Sequence, residues 1–103
     1  MYGTIHRGTT PDVELAVPYD TRLIEKVYVT WTQEGQVVLE MDVADVVVGE
    51  GRIWVPMTQE DTLAFAPGFA LMQVRALFSD GAVVTSAPAT YRIMDALKEG
   101  VIS

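Results

Sequence analysis

Two carboxylates sit side by side at Glu60 and Asp61, inside the stretch "MTQEDTLAFAPG" that spans residues 57–68. Thr58 and Gln59 precede them. Adjacent acids of this kind suit either cation binding or proton transfer. A hard cation such as calcium needs about six to eight oxygen ligands from a folded loop. Only two acids are present here, and the alternating acid pattern of a calcium loop is absent. A second reading uses the same residues as a helix start. Thr58 stands where a hydroxyl caps the first turn, and Glu60 and Asp61 fall where the partial positive charge of a helix N-terminus favours acids. Leu63 and Phe65 would then turn inward, and Pro67 and Gly68 would end the segment. The spacing therefore predicts one short helical turn near residues 59–65.

The remaining reactive side chains are few. His6 is the single histidine, with Arg7 beside it, and no nucleophile and acid accompany it in sequence. Zinc sites take several His or Cys ligands, which this chain does not offer. The stretch "HRGTTP" is too poor in glycine for a phosphate loop and reads as a turn into a strand. With no cysteine, disulfides, thiolate metal sites and cysteine nucleophiles are excluded. No catalytic, metal or cofactor residues are assigned, and the chain is read as a non-enzyme. The aromatic residues remain. Trp31 shares a face with Val27 and Val29 and reads as core. Trp54 lies opposite Ile53 and Val55. It forms, with Tyr28, the candidate interface, because aromatic residues are enriched in docking patches.

The elements that would carry these residues alternate with a period of two. Val13, Leu15 and Val17 mark a first long strand, closed by Pro18, with Asp20 placed to cap a short turn. "KVYVTWTQEGQVVLEMD" reads as a hairpin of about 16 residues turning at its glycine. A shorter pair turns at Gly49, Glu50 and Gly51, and Pro56 within its second strand suggests an edge position or a side facing away from a ladder partner. A third hairpin turns at Ser79, Asp80 and Gly81, with Pro88 interrupting the return strand. The C-terminal segment "MDALKEGVIS" fits either a helical turn capped by Asp95 or an extended tail. About seven short strands with turn signals every 8–12 residues or so point to an all-β, immunoglobulin-like antiparallel sandwich, one domain over residues 1–103.

Charge narrows the partners. Fourteen acids against seven bases give a net charge of −7. That field repels phosphate backbones and anionic lipid surfaces, so neither nucleic acid nor membrane is an expected partner. No segment reaches the roughly 20 apolar residues of a membrane helix. The N-terminus lacks an apolar run after a basic start. The expectation is a soluble protein made in the cytoplasm.

The order "TIHRGTTP", "YDTRLIEKVYVTWTQEGQVVLE", "VPMTQEDTLAF", "VRALFSDGAVVTS" and "LKEGVI" resembles a group of small structural proteins of tailed phages and prophages of Gram-positive bacteria. More distantly, it is similar to the β-sandwich N-terminal domains of phage upper baseplate proteins. The resemblance implies a virion-associated structural protein of baseplate, tail or head surface, present in the host cytoplasm during assembly and then in the virion. Its mechanism would be assembly with itself as a homo-oligomer or with other virion proteins, through an aromatic or strand-edge patch. The alternative expectation is a module that binds host-surface glycan.

Overall fold

A computed structural model describes residues 3–103 of the chain. Its strands are β1 (Gly3–His6), β2 (Asp12–Ala16), β3 (Ile24–Gln33), β4 (Gln36–Met41), β5 (Val47–Gly49), β6 (Arg52–Pro56), β7 (Gly68–Phe78), β8 (Val83–Thr85) and β9 (Ala89–Met94). One α-helix, α1 (Gln59–Leu63), and two 3-10 turns, Thr21–Leu23 and Val43–Asp45, complete the elements. The larger sheet runs β1-β9-β7-β3-β4, with β8 also on β7. The smaller runs β2-β6-β5. The fold is the all-β sandwich expected from the period of two.

Alternation assigns the inner faces. Val27, Val29 and Trp31 of β3 are fully buried, and Met72, Val74, Ala76 and Phe78 of β7 face the same way. Ile53 and Val55 of β6 and Val13 of β2 close the core from the smaller sheet. Burying these side chains stabilises by about 1.5–3 kcal/mol each for the larger ones. The chain crosses from β6 in the small sheet to β7 in the large one through α1, and Phe65, just past this helix, is buried against Trp31 with ring centroids 5.3 Å apart, edge to face. The inward placing of Phe65 matches the expectation; Leu63 is half-buried.

Turn chemistry explains the hairpins. Glu34 and Gly35 carry φ of 51° and 79°, the doubly left-handed pair that a two-residue hairpin loop requires. Gly81, at φ 90°, donates its N–H to Phe78 O at 2.9 Å, and Asp80 Oδ1 accepts from Ala82 N–H. Asp20 caps the Thr21–Leu23 turn as expected, accepting from Arg22 N–H at 3.1 Å.

Two features differ in detail from the sequence reading, and two decide between alternatives it left open. β1 pairs β9 in parallel, so the large sheet is mixed rather than wholly antiparallel. The described residues form nine strands, because "HRGTTP" turns the chain from β1 into β2 and residues 86–88 split the last return strand into β8 and β9. Pro56 belongs to the central strand of the small sheet, yet β5 pairs only as far as Trp54, so the proline lies beyond the ladder on that side. The C-terminal segment forms no helix; it is an irregular tail with bends, held by Arg7 at Asp95 and by Gln59 at Ile102.

The split return strand is also a shift in phase. Arg75 pairs Thr85, but Met72 pairs Ala89, so three steps along β7 face four along its partner. The extra residue is a bulge. Before it the even positions face inward, as at Val84; after it the odd ones do, as at Ile93. Ser86 holds the junction: its Oγ accepts from Val74 N–H, its N–H donates to Val74 O, and its carbonyl accepts from Gln73 Nε2.

Candidate functional site

The acidic stretch is a helix cap. Thr58 Oγ1 accepts from Asp61 N–H at 3.1 Å, and Asp61 Oδ2 accepts from Thr58 N–H at 2.9 Å. This reciprocal pair satisfies two orphan donors of α1. The same helix contributes a buried polar relay. Thr62 Oγ1 donates to Thr9 O and accepts from Gly8 N–H, both at 2.9 Å, which ties the "HRGTTP" turn to the helix. Arg7 ties a third segment in: its Nη1 meets Asp95 Oδ1 at 2.6 Å and its Nη2 donates to Leu63 O at 3.1 Å.

The two candidate interface residues lie apart. Tyr28, 41% exposed, faces outward from the large sheet beside Arg75 on β7. Trp54 is half-buried on the outer face of the small sheet, between Glu14 and Val47, and its ring lies across Gly49. These are opposite outer faces of the sandwich, so the two aromatics form no single patch. A strand's alternation tells which residues share its faces; it does not tell which sheet the strand joins. His6 is exposed at the end of β1 and is the register partner of Met94 on β9.

A more developed concavity lies elsewhere. A cleft of about 230 Å³ opens where the two sheets part, between β2 and β8. Leu15, Tyr19, Ile53, Val74, Phe78 and Val84 line it, and none of its lining residues is a His, Asp, Glu, Lys or Arg. Tyr19 meets Phe78 edge-on with centroids 5.9 Å apart. Both flanking strands are sheet edges on that side. In β2, Val17 N–H bonds Gly51 O and Pro11 O accepts from Met57 N–H, so odd-numbered backbone groups face β6. By alternation the N–H and C=O groups of Asp12, Glu14 and Ala16 point to the open side. Pro11 and Pro18 bracket this edge. The sequence holds β2 and β8 far apart, and only the sandwich closes them around one space.

Electrostatic perturbations lie outside the cleft. Arg22, bonded through its side chain and backbone N–H to Asp20, holds that carboxyl below its ordinary range, and Asp20 in turn raises Arg22. Burial raises the phenol of Tyr91, which packs on Trp31 with centroids 5.3 Å apart. Among the described residues no three His, Asp or Glu side chains gather in a metal-holding group, and no helix is long and apolar enough to cross a membrane.

No protein-family model matches the chain, and no curated protein matches it in sequence. Among solved structures, CopC from Methylosinus trichosporium OB3b is similar with a TM-score of 0.61 at 14% identity, over 96% of this chain and 89% of that one. The likeness shows a shared β-sandwich fold. It also corrects the expectation of a phage or prophage virion protein, because the similarity found points to CopC and away from a baseplate protein. The host-surface glycan alternative, which asks for an exposed aromatic flanked by polar groups, belongs to the same functional expectation and is dropped with it.

Proposed function

We propose that this chain is a non-catalytic binding domain that takes an extended, apolar segment of a partner protein along β2. The observation that carries the proposal is the juxtaposition of an unpaired strand edge with an apolar cleft. A strand laid beside Asp12, Glu14 and Ala16 satisfies their outward backbone groups, and its alternate side chains enter the space above Val74 and Val84. Pro18, an even position, has no N–H to offer on the open side, which ends the docked ladder there and restricts its length. The non-catalytic reading is supported by a cleft without a charged or imidazole side chain.

The test is an amide NMR titration with a panel of short, extended apolar peptides. Shifts should centre on Asp12, Glu14, Ala16 and Val84. Ala16→Pro, which removes one outward donor and leaves the bonds to β6, should weaken binding without unfolding the domain. A panel that leaves these amides unmoved overturns the proposal.

The likeness to CopC is one of fold, and whether this chain could hold a soft metal ion is a question for its own residues. Copper favours imidazole and soft sulfur ligands. His6 and Met94 are one such pair by register, but the described residues supply no third His, Asp or Glu to close a site. Among the described residues no such group is closed, and copper forms no part of the proposed function.

A further inference from the structure

The basic residues are distributed unevenly over the molecule. Arg7, Arg22 and Arg52 are each bound to an acid of the same chain, Asp95, Asp20 and Glu14. Lys98 lies in the tail. The other three, Lys26, Arg75 and Arg92, are exposed, make no ion pair among the described residues, and all point outward from the large sheet. Along the register of that face Glu40, beside Thr30, is an acid that joins them, and Glu25 stands exposed at the β3 bulge next to Lys26, so Arg75 and Arg92 carry the cationic character. Exposed apolar side chains lie among the charges: Tyr28 beside Arg75, Leu71 two rows further, and Val83 beside Leu77. Arginine with aromatic and aliphatic side chains is the composition of a docking surface, and here it is cationic on a chain of net charge −7.

Its complement lies on the other sheet. Residues 42–50, "DVADVVVGE", hold three acids and no base. They form the Val43–Asp45 turn and β5, the free edge of the small sheet. Val43, Val47 and Val48 are exposed there at 45%, 55% and 37%.

We infer that the outer face of the large sheet docks the acidic, valine-rich edge around β5 of a second copy of this chain. Both surfaces are amphipathic and their charges are opposite, which steers encounter and sets register. The contact joins two different surfaces, so it repeats head to tail, closing into a ring or extending as a filament. It uses neither β2 nor the cleft, so peptide binding there and self-association here succeed or fail separately.

Sedimentation of the intact chain across salt concentrations tests the inference. Oligomers should form at low salt and dissociate toward 1 M, where the screening length falls to about 3 Å. Arg75→Glu with Arg92→Glu should raise the dissociation constant about tenfold or more, as should Asp45→Lys with Glu50→Lys. Mixing the two reversed variants should restore association, since each supplies the charge the other now needs. Circular dichroism and melting curves identify any variant that fails to fold, and Arg75→Gln with Arg92→Gln then replaces the reversal. A wild-type chain that sediments as one copy at low salt overturns the inference. So do reversed variants that associate like wild type, or folded ones that fail to associate when mixed. A single copy that instead binds a polyglutamate peptide through Arg75 and Arg92 makes an acidic peptide the occupant and overturns the second copy.

Discussion

Gln59 grips the backbone of Ile102 with both ends of its amide: Oε1 accepts from Ile102 N–H at 2.7 Å and Nε2 donates to Ile102 O at 2.8 Å. The pairing imitates one rung of a β-ladder with a side chain. It accounts for the tail's course, because the end of the chain is bound to the first residue of α1 rather than coiled on itself.

Gln59→Ala should therefore free the tail and leave the sandwich intact. Hydrogen exchange at Ile102 should accelerate to that of an open amide. Global stability should fall by less than about 1 kcal/mol, since these bonds are exposed to water. Loss of a cooperative melt would show that the tail belongs to the folding unit.

Thr62 should be far less tolerant. It is fully buried, and its hydroxyl is the partner of Gly8 N–H. Thr62→Val keeps the shape and orphans that donor, which should cost about 1–3 kcal/mol in urea unfolding. Thr62→Ser retains the oxygen and should recover much of the loss. Equal effects of Val and Ser would place the cost in packing instead.

Gly49→Ala should move an indole. A Cβ at Gly49 would overlap the ring of Trp54, and the neighbouring strand backbone cannot retreat without breaking β5 from β6. Trp54 should swing outward, with a red shift in its emission. Trp31 stays fully buried and gives a constant background. An unchanged spectrum would mean that the ring already has room.

Tyr91 gives the pH dependence its sign. Burial raises its pKa above the ordinary value near 10. The unfolded chain then loses this proton first as pH rises, so the unfolded state binds fewer protons and stability falls. The contribution is complete below about pH 10 and declines from there towards the higher folded-state pKa. Tyr91→Phe should flatten this alkaline limb in a melting series. A limb that persists in the variant would belong to other groups.

These residues show what was legible in sequence and what was not. The strands announced themselves because one face of each is buried, which stamps a period of two on Val27, Val29 and Trp31. The cap at Thr58 was legible because its partner Asp61 is three residues away. Relations between distant segments left no such mark. Nothing in "GTIH" reveals that it runs parallel to β9, since parallel and antiparallel partners demand the same side chains of an edge strand. Nor could alternation show that Tyr28 and Trp54 point away from one another. The cleft was hidden for a related reason: its walls are ordinary core residues, and it is open only because β2 has no further neighbour.

The bulge between Thr85 and Ala89 behaves like a reading frame. Downstream of it, Tyr91 and Ile93 are inside only because one residue more than the partner strand needs has been counted in. Substitutions there change a side chain, but a one-residue deletion would exchange inside and outside for the whole of β9 and put it out of phase with β1, its parallel partner. The junction tolerates changes of letter far better than changes of number.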